Sequence, residues 1–291
     1  MSFDISGSLN LTGFTTRRII FIALSTVEIL FLSLLSLFPS ATLYVIALIL
    51  CVALCLSTGA CLGTDCTDVN FLPSLSAAIS DEQPQRSIWM CFICISSSIR
   101  ILLLFPVSRV YRRLCHTLGG AHLDWMVTPI FSLSTVEILF LSLLSLFPSA
   151  TLYEAHRNCL AIFVFSSVMF MGFDTCLFIR MAQHSKNRTT VSEARRKSWL
   201  FASYLLLLTI IAAFYYVHTT YCPPYVYSLF SFFEYVAIVI NVLYQYYANC
   251  LVGAVPMGVL LEHLSCSDKK TDRIDLAYFF NQQSSLATIQ N

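Results

Sequence analysis

Apolar blocks of about 20 residues recur along nearly the whole chain, at 19–38, 41–62, 88–107, 129–150, 159–181, 199–217 and 225–248. At a rise of 1.5 Å per residue, a helix of about this length crosses roughly 30 Å of hydrocarbon. Backbone dissolved in lipid must satisfy its own N–H and C=O groups, so repeated crossings dictate helices packed into a bundle. A weaker stretch, Leu251 to Leu261, contains Gly253, Pro256 and Gly258 and is too short to cross alone. It prolongs the last block or lies at the interface. Composition agrees: 11% of the residues are charged, where a soluble domain carries about 25%. The chain reads as an all-α, polytopic transmembrane helical bundle.

The polar stretch Met1 to Thr16 and the pair Arg17-Arg18 precede the first block. That block is too long for the core of a secretory signal and lacks a small-residue cleavage site, so it reads as a retained membrane segment. The formal net charge is +1. Once the loop charges are assigned to membrane orientation no basic face remains, so membrane lipid is the expected partner and nucleic acid is not.

Lysine and arginine counts in short loops set orientation. Arg109, Arg112 and Arg113 follow the third block; Lys186, Arg188, Arg195, Arg196 and Lys197 follow the fifth; Lys269, Lys270 and Arg273 lie in the tail. These are expected in the cytoplasm. The alternate connections hold Arg86 against Asp65, Asp68, Asp81 and Glu82, then Arg157 alone, then no basic residue between His218 and Tyr227. They are expected in the lumen. The resulting plan is an N-terminal polar segment 1–18, a transmembrane domain 19–261 with a luminal loop 63–87 and cytoplasmic loops 108–128 and 182–198, and a cytoplasmic tail 262–291. Tyrosines bracket the last two spans, as suits a side chain with an apolar ring and a wet hydroxyl.

Residues 24–44 and 133–153 are identical over 21 positions, LSTVEILFLSLLSLFPSATLY. Structural repeats drift at lipid-facing positions, so perfect identity marks a recent internal duplication or an error in the gene model rather than an old repeat architecture. With both copies spanning, Arg17-Arg18 would face the lumen; with one removed, six crossings remain and both arginines face the cytoplasm. The expected plan is a six-span core plus one extra, dispensable apolar segment. Asn10-Leu11-Thr12 is a glycosylation sequon whose modification would show a luminal N-terminus and favour seven spans, whereas Asn187-Arg188-Thr189 lies in a basic connection expected to stay cytoplasmic and unmodified.

Ionisable side chains inside spans are costly and are functional candidates by default. They are Glu28, Arg100, Glu137, Asp174 and Glu234. Arg100, Glu137 and Asp174 lie at matching depth, roughly 10 Å from the cytoplasmic ends of their helices. They form either an arginine–carboxylate clamp that fixes helix register or a polar pocket for a lipid headgroup or a proton. On the luminal side, His156, Asn158 and His218 join the loop residues Asn70, Glu82 and Arg86. An imidazole there can serve as general base beside an acyl-acceptor hydroxyl, or can simply bond helix ends and lipid. No G-x-S-x-G, H-E-x-x-H, P-loop or G-x-G-x-x-G motif is present, and no residue is assigned as catalytic.

Most of the twelve cysteines, including Cys51, Cys55, Cys159 and Cys176, sit in apolar blocks and read as small hydrophobes. Cys91-x-x-Cys94 lacks a second ligand pair and reads as helix packing; no metal or cofactor is expected. Cys66 and Cys222 both fall at luminal positions, where they either form a disulfide joining the first luminal loop to the last or remain thiols.

The run Asn70-Phe71-Leu72-Pro73-Ser74-Leu75-Ser76-Ala77-Ala78-Ile79, followed by Glu82-x-Pro84-x-Arg86-x-x-Trp89, resembles the luminal signature of the post-GPI-attachment-to-proteins factor 2 family. That family sits in a wider group with the damage-regulated autophagy modulators. Matches continue in order through Arg100, Val136-Glu137, His156-x-Asn158, His218-x-x-Tyr221-Cys222, Val226-Tyr227, Glu234-Tyr235 and Asn241. The chain departs from the family pattern at Gln245, where a histidine is typical, and at Asn249-Cys250-Leu251, which replaces an aromatic-Asp ending. The resemblance implies a multi-pass protein of the Golgi or endoplasmic reticulum membrane. It also implies work on the lipid of GPI-anchored proteins, with a lyso-GPI entering between helices. A lysosomal regulator like the autophagy modulators, or a lipid-organising scaffold, is the alternative.

Overall fold

The computed structural model describes residues 40–59, 61–63, 66, 70–80, 83–185 and 188–253. Glu28, Glu82, the N-terminal polar segment, Asn187, the tail and residues 24–39 of the first repeat copy lie outside the described residues. Among the described residues six long helices follow one another: α1 (Ser40–Thr58), α2 (Gln85–Leu114), α3 (Val127–Leu146), α4 (Tyr153–Ser185), α5 (Arg188–Tyr221) and α6 (Val226–Gly253). A single helical turn, Leu75–Ala78, lies between α1 and α2, and a π turn and a 3-10 turn separate α2 from α3. Five of these helices are long and apolar enough to cross a membrane, and Thr42–Thr58 is a shorter apolar helix. This is the all-α, multi-span bundle expected.

Each helix packs on its sequence neighbour, and α6 closes the ring against α1 and α2. The outside is apolar: Phe105, Phe165 and Leu206 are each more than 60% exposed. Water would penalise such a surface; hydrocarbon does not, and packing between helices in lipid depends on close approach and interhelical hydrogen bonds. Small hydroxyl residues fill that role. Ser96, Ser97, Ser134, Ser145, Ser166, Ser167, Ser228 and Ser231 are all buried, and Trp89 Nε1 donates to Ser145 Oγ at 3.2 Å across α2 and α3.

The two repeat copies do not build a structural repeat where both are described. In the first copy Ser40-Ala-Thr-Leu-Tyr44 is the opening of α1; in the second Ser149 to Leu152 form the turn between α3 and α4, and α4 opens only at Tyr153. Context decides. After Tyr44 comes Val45-Ile46-Ala47-Leu48, which extends an apolar helix, whereas Ser149 Oγ is engaged by Ser80 Oγ at 3.1 Å and Ser76 O at 3.4 Å, holding that segment off the helix.

Pro148 ends α3. A residue before proline is pushed out of the α region, and Phe147 adopts φ −96°, ψ 103°. Its carbonyl thereby leaves the helical ladder and needs another donor.

Candidate functional site

One end of the bundle is built from the 70–80 segment, the α3–α4 turn and the first turns of α6. The segment is tied down group by group. Phe71 N and Leu72 N donate to Ser228 Oγ at 3.0 and 3.2 Å. Leu75 N donates to Glu234 Oε2 at 3.1 Å, and Tyr235 donates its hydroxyl to Pro73 O. Ser74 caps the Leu75–Ala78 turn by accepting from Ala77 N at 3.1 Å, and itself accepts from Tyr227 OH at 2.9 Å. Ser76 is thus fixed on a short turn whose backbone is held on both sides.

His156, in the first turn of α4, is only 6% exposed. Its Nδ1 lies 2.7 Å from Phe147 O, the carbonyl that Pro148 turned out of α3, and its Nε2 lies 3.2 Å from Ser76 Oγ. His218, near the end of α5, is buried and faces the Tyr227 ring at 5.0 Å between centroids. Its Nδ1 has no hydrogen-bond partner among the described residues. Tyr227 and the Ser74–Ser76 turn therefore connect the surroundings of the two histidines. Cys66 and Cys222 are joined by a disulfide, which pins the 63–87 connection to the α5–α6 turn. In that turn Cys222 and Tyr225 both take positive φ, 45° and 67°, flanking Pro223-Pro224.

Among the described residues, the bundle interior holds two clusters of buried, paired charges. Arg100 Nη2 meets Glu137 Oε2 at 3.1 Å, and Gln245 Nε2 donates to the same oxygen at 2.7 Å. Lys197 is paired with Asp174, whose Oδ2 also accepts from Tyr244 OH at 2.8 Å. Asn241 donates to Ser167 Oγ, joining α6 to α4. Glu137 Oε1 and Asp174 Oδ1 are buried with no partner among the described residues.

Several expected sites are placed differently from the reading of sequence. Asp174 pairs with Lys197 and not with Arg100. Lys197 reads in sequence as a cytoplasmic loop charge, but α5 already begins at Arg188, so Lys197 is helical and wholly buried. The signal that could have found it is periodicity: Thr190, Ala194, Lys197, Tyr204 and Leu207 share the buried face of α5. Asn158 is exposed on α4, two residues from buried His156, and Arg86 is half-buried at the start of α2. Asn70 begins the tied segment. Cys55 forms a disulfide with Cys61 instead of acting as a simple hydrophobe, and Cys91 and Cys94 are exposed on α2 instead of packed. Ser76, Ser228, Tyr244 and the partner role of Gln245 carry no sequence signal of their own, because a lone hydroxyl or amide in an apolar run is generic.

A bundle with an apolar outside, paired charges inside and a hydroxyl- and histidine-bearing end defines a polytopic helical membrane protein. The chain belongs to the Frag1/DRAM/Sfk1/Cwh43P N-terminal domain family, whose model matches residues 31–248. It is 34% identical over 191 residues to Acyltransferase PGAP2 of Xenopus tropicalis, covering 61% of this chain and 70% of the relative. Against Post-GPI attachment to proteins factor 2 of Drosophila melanogaster it is 30% identical over 183 residues, covering 61% and 68%. Against the protein of the same name from Caenorhabditis elegans the identity is 28% over 187 residues, covering 62% and 70%. No solved structure matches the chain. The resemblance drawn from the 70–89 signature and its ordered successors holds.

Proposed function

We propose that this chain is a maturation factor for the lipid of GPI anchors in the secretory pathway, supporting fatty-acid remodelling and surface expression of GPI-anchored proteins. One observation carries the reading: the family match at 31–248 contains the whole polar end of the bundle, from Asn70 through His156 to Tyr235. Relatives 34% and 30% identical to the chain bear the names acyltransferase and post-GPI attachment to proteins factor. The substrate is a GPI-anchored protein in its lyso form, whose lipid enters between helices while its headgroup meets the 70–80 segment, His156 and His218. The membrane is that of the Golgi or the endoplasmic reticulum, and the 63–87 connection faces the lumen.

The spanning plan is six crossings, α1 to α6, with the first copy of the duplicated segment as an addition that function does not need. A luminal α1–α2 connection and cytoplasmic α2–α3 and α4–α5 connections follow from the charge pattern, with the helices reaching further into the 108–128 and 182–198 stretches than the sequence alone implies. A glycan at Asn10 would put the N-terminus in the lumen and favour seven.

Deletion of the chain tests the function. Surface levels and anchor fatty-acid composition of GPI-anchored proteins should both change and return on re-expression. Unchanged anchors together with residence in lysosomal membranes would replace this reading with an autophagy-modulator-like one.

A further inference from the structure

The pairing of Ser76 with His156 goes beyond a loop anchor. A carbonyl oxygen accepts and never donates, so at 2.7 Å from Phe147 O the Nδ1 atom of a neutral His156 carries the ring proton. Nε2 is then left with its lone pair directed at the Ser76 hydroxyl, 3.2 Å away. An activated nucleophile requires a base within hydrogen-bond reach and a third group that orients the base. Here Ser76 Oγ, the imidazole and the Phe147 carbonyl supply all three. Accessibility is graded in the useful sense, with the imidazole buried and Ser76 partly open to the surface. The scaffold is stiff. Pro148 sets the carbonyl, Ser149 and Ser80 lock the α3–α4 turn to the 70–80 segment, and Glu234 and Tyr235 hold that segment from α6. Exposed Leu152 and Tyr153 lie on the stretch between Ser149 and His156 and offer apolar surface to an acyl chain.

We infer that Ser76 is a nucleophile that carries a fatty acyl group and that His156 is its general base, an inference that rests on the lipid-remodelling reading above. The donor is an acyl ester or thioester and the acceptor is the free hydroxyl of a lysolipid. In the first step Ser76 Oγ attacks the donor's acyl carbonyl while its proton passes to His156 Nε2. The bond from that carbonyl to the leaving oxygen or sulfur breaks, and the leaving group takes the proton from His156. The products are an acyl ester on Ser76 and the deacylated donor. In the second step the lysolipid hydroxyl gives its proton to Nε2 and attacks the Ser76 ester. The ester bond breaks, Ser76 recovers the proton, and the acyl group has moved from donor to acceptor without any change of oxidation state. Phe147 acts as a positioning residue through its carbonyl.

The test uses the full chain purified into lipid nanodiscs and an alkyl fluorophosphonate, which phosphonylates activated serines. The expected result is a single adduct located by peptide mass spectrometry at Ser76, absent in Ser76→Ala and formed at least tenfold more slowly in His156→Ala and His156→Gln. Retention of the Cys66–Cys222 disulfide and a monodisperse elution profile report the fold of each variant. Where a variant fails to fold, the wild-type result alone decides: no adduct at Ser76 overturns the inference. In cells lacking the chain, Ser76→Ala should fail to restore anchor fatty acids. If it restores them as well as wild type does, Ser76 is a structural latch and the remodelling reading survives; if deletion itself leaves the anchors unchanged, both readings fall.

Discussion

Lys197 lies fully buried against Asp174, tying α5 to α4 in the interior of the bundle. Groups on α2, α4 and α6 surround the pair. Tyr111 of α2 accepts from Lys197 Nζ at 3.2 Å, the Phe178 ring lies 4.0 Å from the same ammonium, and Tyr244 of α6 donates to Asp174. Aromatic faces and hydroxyls replace part of the water that the two charges lost, while Asp174 Oδ1 is left without a partner among the described residues.

Removing one partner leaves the other charge stranded. Lys197→Met should lower stability by about 3–5 kcal/mol, whereas Lys197→Met combined with Asp174→Leu should recover much of the loss. Thermal unfolding in detergent measures both. A double-variant loss equal to the sum of the Lys197→Met and Asp174→Leu losses would show that the pair is not coupled.

Glu137 has two donors on one oxygen, Arg100 and Gln245. Gln245→Leu should cost about 1–3 kcal/mol by removing one of them, and Arg100→Met about 3–5 kcal/mol by leaving the carboxylate without its cation. A well-folded Arg100→Met chain that has lost only its effect on GPI anchors would instead mark this cluster as a lipid or proton pocket.

The Cys66–Cys222 disulfide closes most of the bundle into a loop. Cys66→Ser should destabilise by about 2–4 kcal/mol, and reductant, which also opens Cys55–Cys61, should destabilise the wild-type chain at least as much. Limited proteolysis checks the bond directly: fragments cut between α2 and α5 stay linked until reduced.

Ser228 is the common acceptor for Phe71 N and Leu72 N. Ser228→Ala should leave both amides without that partner and raise hydrogen exchange across 71–78 by about tenfold, equivalent to about 1.4 kcal/mol, while the bundle interior stays protected. Uniform exchange change over all helices would contradict a local anchor.

The bundle was legible because its signal is length and apolarity, which depend on no partner. The blocks at 88–107, 129–150, 159–181, 199–217 and 225–248 fall within α2 to α6 or differ from them by a few residues. Arg100 with Glu137 was legible for a related reason, since ionised groups at equal depth in lipid must find each other. Lys197 was hidden by its neighbours: Arg195 and Arg196 made the run look like a loop, and only the helical face separates a buried lysine from two outward arginines. The polar end was half legible. Histidines and a disulfide-capable pair stand out in an apolar chain, but Ser76 becomes distinguishable only when Pro148 turns the Phe147 carbonyl onto the far side of His156.

The central claim is that the end carrying the 70–80 segment, His156 and His218 faces the lumen, where anchor lipids present their headgroups. Glycosylation mapping in microsomes tests it most directly, with an acceptor tag inserted at residue 64 read against the native sequon at Asn187. The account predicts a glycan on the inserted tag, removable by endoglycosidase, and none at Asn187. A glycan at Asn187 and an unmodified tag would invert the molecule and contradict the account.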